Sequence, residues 1–137
     1  LETASEFDLG GAKFRLFPPT SGKGNELCMA VLISVGDYDI LVTGDMPSAQ
    51  ELALTERYDI GDIELLVVGH HGSATSTSKA FLDAVKPETA IISVGADNSY
   101  GHPRKEVLDR LTEAGAEIYR TDINGTITVT VREMRVD

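Results

Sequence analysis

The chain has 137 residues, 42% of them hydrophobic and 25% charged, which is enough for one hydrophobic core and too few for two. Twenty-two acidic against twelve basic residues leave a formal charge of −10, which excludes a surface that holds nucleic acid by bulk electrostatics; any contact with a polyanion has to be local. The longest apolar runs, such as 29–34 and 40–42, fall far short of the roughly 18 to 20 residues needed to cross a bilayer. No signal-peptide pattern opens the chain, so a soluble domain is expected, and a first residue Leu1 in place of methionine implies a piece of something longer.

Short apolar strands alternate with amphipathic helices. Strands are expected over 12–17, 27–35 and 39–43, the last two paired as an antiparallel hairpin through the turn Gly36-Asp37-Tyr38. The single cysteine, Cys28, falls in the second of these; it has no partner for an intramolecular disulfide and reads as a small buried hydrophobe. A helix follows from Pro47 to about Tyr58, because proline suits a first turn and Ala49, Leu52, Ala53 and Glu56 fall at helical spacing. After a strand over 63–68, Ser78 is placed to cap a short helix that buries Phe81, Leu82 and Val85 and stops before Pro87. A strand over 89–94 leads to a helix opened by Pro103, with Val107, Leu108 and Leu111 on one face and Gly115 ending it. A closing hairpin is expected from 116–120 and 126–131 around the turn 122–125. Nothing divides the chain into two domains, and there is no repeat or low-complexity tract.

Three loops each follow the end of an apolar strand, and if those ends share one edge of the sheet, their polar residues converge. The first carries Gly44-Asp45, where a carboxylate at a strand end could bridge metal ions, or could simply form the turn into the next helix. The second is Gly69-His70-His71-Gly72-Ser73, which holds two of the chain's three histidines directly after the run Leu65-Leu66-Val67-Val68. Imidazole serves both proton transfer and metal ligation near neutral pH, and adjacent strand residues point to opposite faces, so one of the pair is expected to ligate and the other to sit beside it. Its continuation, Ser73, Thr75, Ser76 and Ser78, leads into a helix start, where free N–H groups can hold phosphate; the alternative is a capping loop with spare hydroxyls. The third loop, Asn98-Ser99-Tyr100-Gly101-His102-Pro103, repeats that theme with His102 at the helix start, and the same choice stays open. Lys79, Arg104 and Lys105 read as surface charges, each within a turn of one of these loops.

Taken together, Val42-Thr43-Gly44-Asp45, Leu66-Val67-Val68-Gly69-His70-His71-Gly72-Ser73, Ile91-Ile92-Ser93-Val94-Gly95 with Asn98, Tyr100-Gly101-His102-Pro103, and Tyr119-Arg120-Thr121-Asp122 with Gly125 are five motifs in a fixed order. The series resembles the C-terminal half of a metallo-β-lactamase-fold domain, in the version attached to ComEC-type DNA-uptake (competence) proteins, over about residues 14–131. The stretch Gly24-Asn25-Glu26-Leu27-Cys28 departs from that family, which has a second asparagine in place of Gly24 or Glu26 and a serine near Cys28. The resemblance implies an α/β fold that is half of an αββα sandwich, a mixed sheet with helices on its outer face. It implies a divalent metal, zinc or manganese, with Asp45 and His71 as ligands. His70 and His102 would be catalytic neighbours, and Ser73, Thr75, Ser76, Asn98, Tyr100 and His102 would line the place for substrate or phosphate. Two metals in such a site activate water for phosphodiester hydrolysis.

An absence stands against catalysis by this chain alone. The family takes most of its ligands from a His-x-His-x-Asp-His motif in an N-terminal half, and no histidine precedes His70 here. A catalytic zinc needs about three protein ligands. The chain is therefore expected to be the C-terminal part, 1–137, of one domain: an incomplete metal site, inactive or nearly so in isolation, from a soluble extracytoplasmic part of a membrane-embedded protein acting on single-stranded DNA or another phosphodiester. The rival readings are a non-catalytic module binding nucleic acid or phosphate, and a related phosphodiesterase such as a phosphocholine esterase. Half a sandwich also bares one face of its sheet, so a homodimer covering that face is expected of the fragment.

Overall fold

The computed structural model describes residues 3–20 and 22–132. Strands β1 (Ser5–Leu9), β2 (Ala12–Phe17), β3 (Ala30–Val35), β4 (Tyr38–Val42), β5 (Leu65–Val67), β6 (Thr89–Ile92) and β7 (Glu117–Arg120) form a single sheet in sequence order. From β1 to β4 the pairs are antiparallel, and from β4 to β7 they are parallel. The change of direction follows from the connections: two short turns and the loop 18–29 return the chain antiparallel, whereas helices α1 (Ser48–Arg57), α2 (Lys79–Val85) and α3 (Lys105–Glu113) carry the chain back to start each parallel strand. A fourth helix, α4 (Thr121–Asn124), is a single turn.

One face of the sheet meets the helices. Phe17, Leu32, Leu41, Leu66, Ala90 and Ile92 pack there with Leu54 of α1, Phe81, Leu82 and Val85 of α2, and Val107 and Leu111 of α3. The alternate residues point the other way, since side chains in a strand alternate between faces. On that side Phe7 stacks on Phe14 with ring centroids 5.0 Å apart, and Phe7 and Leu9 are 46% and 66% exposed. This is an α/β fold with a mixed sheet covered by helices on one side, the arrangement of half of an αββα sandwich.

Four details differ from the sequence expectation. A strand β1 precedes the first one expected, joined to it by Gly10-Gly11, both at positive φ as a two-residue hairpin turn requires. The third strand starts at Ala30, because residues 24–27 wind into a 3₁₀ turn. Helix α1 buries Glu51 and Leu54, while Leu52, expected on the buried face, is 38% exposed. The closing hairpin does not form among the described residues. The Arg120 N–H that would pair with a following strand donates instead to the Asn124 side chain, and the Arg120 guanidinium forks onto Asp122 at 2.6 and 3.0 Å. Residues 127–130 then border a cavity of about 370 Å³ whose other wall is Tyr38, Leu65, Thr89, Ile91 and Tyr119, on the side of the sheet away from the helices.

Candidate functional site

Because β4, β5 and β6 are parallel, their carboxyl ends share one edge, and the loops 43–47, 68–78 and 93–104 all leave from it. Backbone hydrogen bonds tie these loops to one another. The His70 N–H donates to Gly44 O at 2.9 Å, the Ser48 N–H to Thr75 O at 2.8 Å and the Arg104 N–H to Gly72 O at 2.9 Å. Gly72 is required at the last junction: its φ is +80°, and a Cβ there would lie 2.5 Å from Pro103 Cβ.

Strand β5 ends at Val67, so the two histidines stand in a tight turn, Gly69–Gly72, and the strand rule of alternating faces does not govern them. Both have left-handed backbones, with φ of 50° for His70 and 55° for His71. Such conformations are uncommon for side-chain-bearing residues and persist where the surroundings impose them. The turn brings all three imidazoles of the chain together: the His70 ring centroid lies 6.5 Å from that of His71 and 5.9 Å from that of His102, both edge-on.

His71 Nδ1 is 2.7 Å from Ser93 O. A carbonyl only accepts, so Nδ1 carries the proton and the neutral ring turns the Nε2 lone pair outward. That Nε2 lies 3.8 Å from Asp45 Oδ1, with both side chains about half exposed. Ligand bonds to zinc from nitrogen or carboxylate oxygen are about 2.1 Å, so donors up to about 4.2 Å apart can share one ion. Asp45 and His71 thus fit as two ligands, and the Ser93 carbonyl behind His71 is the outer partner that metal-bound imidazoles ordinarily have. Among the described residues, no group of three or more His, Cys, Asp and Glu side chains could hold a metal.

His102 sits beside this pair, and its pKa is lowered, first by burial and then by the electrostatic influence of His70, Arg104 and His71, against the Asp45 carboxylate. It therefore stays neutral near pH 7, able to accept a proton. Tyr100, 73% exposed, stacks against it at 5.7 Å between centroids. His71, Val94, Gly95, Asn98, Tyr100 and His102 line a pocket of about 200 Å³. A larger cleft of about 660 Å³, between the β3–β4 turn and residues 130–132, lies at the opposite end of the strands and contains no histidine.

The remaining expected contacts turn inward. Asn98 donates to Gly95 O and His102 O and accepts from the His102 N–H, so its amide is spent on holding the loop. Ser76 is fully buried and donates to Met46 O, and Ser73 Oγ, also buried, pairs with Thr75 Oγ1. Ser78 caps α2 as expected, accepting the Phe81 N–H. Lys79 and Lys105 are exposed and paired with Asp83 and Asp109, one helical turn on. Two contributors went unread in the sequence. Ser93 acts through its backbone, which no residue pattern announces, and Glu51 belongs to the stripe Glu51-Leu54-Tyr58, whose helical spacing marks it as the inner face.

The fold and the site together define an α/β domain whose polar strand-end loops gather a carboxylate and three imidazoles at one solvent-facing edge. The chain is 37% identical over 121 residues to the competence protein ComA of Neisseria gonorrhoeae, an alignment covering 85% of this chain and 18% of that protein. It is 35% identical over 109 residues to ComE operon protein 3 of Bacillus subtilis, covering 80% of this chain and 14% of that protein. Against recombination protein 2 of Haemophilus influenzae it is 32% identical over 131 residues, covering 93% and 16%. The chain therefore spans less than a fifth of the length of these relatives and is similar to one segment of each, the first of them named as a competence protein. No protein-family profile matches it. These findings correct the resemblance drawn from the motifs. The competence proteins stand as relatives, whereas a metallo-β-lactamase fold is shown by none of the matches. The physical reason is that the motifs describe strand-end loops, and loops define a site without defining the domain that carries it.

Proposed function

We propose that this chain supplies one wall of a metal-dependent phosphodiester-hydrolysing site in a competence protein, acting on single-stranded DNA during uptake. The carrying observation is the His71 and Asp45 pair, held 3.8 Å apart with the imidazole tautomer set by Ser93 O. In this reading Asp45 and His71 hold a divalent zinc or manganese ion whose further ligands come from outside these 137 residues. Bound there, the ion lowers the pKa of a water and polarises a phosphoryl oxygen. The chain's own residues do the rest. Ser93 orients His71, neutral His102 takes up or passes on a proton at the pocket mouth, and His70, between the two rings, offers a second cation or proton carrier beside the substrate phosphate. The apolar face of the sheet that the helices leave bare is where a second layer of the parent protein would pack.

No helix of the described residues is long and apolar enough to cross a membrane. The membrane-embedded parent and the extracytoplasmic position of this part belong to the same proposal, supported by the competence names of its relatives.

The test is His71→Ala in the full-length parent, assayed for manganese- or zinc-dependent cleavage of a single-stranded oligonucleotide. Loss of cleavage with retained folding supports the reading, and unchanged cleavage sinks it. A second reading, binding without hydrolysis, is favoured by one observation, the exposed Tyr100 ring, since bases stack on such faces. Oligonucleotide binding that survives chelation in a parent without cleavage would select it.

A further inference from the structure

Glu51, on the inner face of α1, is completely buried although it carries a carboxyl group. Its Oε2 accepts the Thr77 N–H at 2.7 Å, and the Ser78 N–H also points at the carboxyl group, which ties it to the start of α2. Its other oxygen faces the site loops. A Cβ on Gly69 would lie 3.1 Å from Glu51 Oε1, 3.0 Å from Thr43 Oγ1 and 3.4 Å from Gly44 O. Gly69 has no positive φ, so glycine is needed there for space: oxygens from two chain segments, 43–44 and Glu51, close on the place a side chain would take. Glu51 Oε1, Thr43 Oγ1 and Thr77 Oγ1 are all buried without a hydrogen-bond partner. Buried polar groups are ordinarily satisfied, and Glu51 Oε1 and Thr43 Oγ1, which meet around Gly69, are the two that face the site turns. Burial pushes the Glu51 carboxyl up to about 7, against the N–H groups of Thr77 and Ser78 and the positive charge of Arg110 on α3. In its protonated form the acid has an O–H to offer there, and the Thr43 hydroxyl is a second donor.

We propose that Glu51 is a positioning residue: buried under both turns, its carboxyl group holds the Gly44-Asp45 turn and the Gly69–Gly72 turn at a fixed separation, and so sets the distance between Asp45 and His71. It reaches neither side chain itself. It acts through Thr43, two residues before Asp45, and through Gly69, two residues before His71. The significance of that distance rests on the proposed metal site; the assignment of Glu51 as the post between the turns does not.

The experiment uses this chain, labelled with ¹⁵N, in three forms: wild type, Glu51→Gln and Glu51→Leu. Glutamine keeps a donor and an acceptor, whereas leucine keeps the volume and removes both. Two signals are read: the His71 Nδ1–H resonance, which reports the bond to Ser93 O, and broadening of Asp45 and His71 by added Mn²⁺. Glu51→Gln is expected to keep the His71 signal and to half-saturate with Mn²⁺ within about twofold of wild type. Glu51→Leu is expected to lose the His71 signal and to need about tenfold more Mn²⁺, the size of effect that outer-shell changes have on metal sites. If Glu51→Leu does not fold, Thr43→Val removes the hydroxyl beside Gly69 at constant volume and is expected to shift both signals in the same direction by less. A folded Glu51→Leu with both signals unchanged overturns the proposal, as does an unchanged Thr43→Val. If wild type itself shows no broadening, the Mn²⁺ comparison is made in the full-length parent, which supplies the further ligands, while the His71 signal in this chain still decides the role of Glu51.

Discussion

The two halves of the sheet differ in strand direction and in use. From β1 to β4 the strands pair antiparallel, through tight turns at β1–β2 and β3–β4 and a longer loop over 18–29 at β2–β3, and β1 carries exposed apolar side chains such as Phe7 and Leu9. From β4 to β7 the strands are parallel, fully covered on the helix side, and every loop that carries a candidate site residue leaves their carboxyl edge. The difference teaches that convergence comes from strand direction. Antiparallel turns alternate between the two ends of a sheet, whereas parallel strands send each following loop to the same end.

Core substitutions should separate the halves most. Leu66 is fully buried between its register partners Leu41 and Ala90, so Leu66→Ala is expected to cost about 2 to 5 kcal/mol in denaturant unfolding. Phe14→Ala, on the open face of the antiparallel half, should cost clearly less than that; equal losses would erase the contrast.

The second effect is a pH dependence confined to the site half. Between pH 4.5, the ordinary value for glutamate, and about 7, the folded chain keeps a proton on Glu51 that the unfolded chain has released. More protons bound when folded means that stability falls as pH rises through that window, by about 3 kcal/mol in all, with no further loss from this group above it. Glu51→Gln should flatten that part of a stability profile measured by chemical denaturation from pH 4.5 to 8. An identical slope in the variant would show that other groups produce it.

A smaller loss, about 1 to 3 kcal/mol, is expected for Gly72→Ala, which strains a left-handed residue and pushes Pro103. Its readout is the thermal midpoint together with a displaced His102 resonance; a shift in the midpoint alone would mean that the two loops are not coupled. Smallest of all, His71→Ala should change stability by less than about 0.5 kcal/mol, because the side chain is half exposed. A large loss there would recast His71 as a structural residue.

Much of the fold is legible along the chain. Apolar periodicity, the Ser78 cap and Pro103 place β2, β4, β5, β6 and helices α1, α2 and α3 to within a few residues. Two of the misses share a cause: they lie where side chains compete with the backbone ladder. Asn124 takes the N–H that a closing strand would have used, and Thr121 Oγ1 accepts the Val94 N–H just where β6 was expected to continue. The inner face of α1 was misread because it carries a glutamate: the stripe Glu51-Leu54-Tyr58 has helical spacing, but the polar partners that let the carboxyl group be buried come from distant segments.

By itself the sequence determined which residues have the chemistry: Asp45, three histidines, and glycines at the turns, each at the end of an apolar run. Their inventory is local, and short-range spacing records it. Only the tertiary structure decided how they meet, because parallel strand order, the left-handed turn at His70 and His71, the Ser93 carbonyl behind His71 and the buried Glu51 beneath both turns all depend on contacts between residues far apart in the chain.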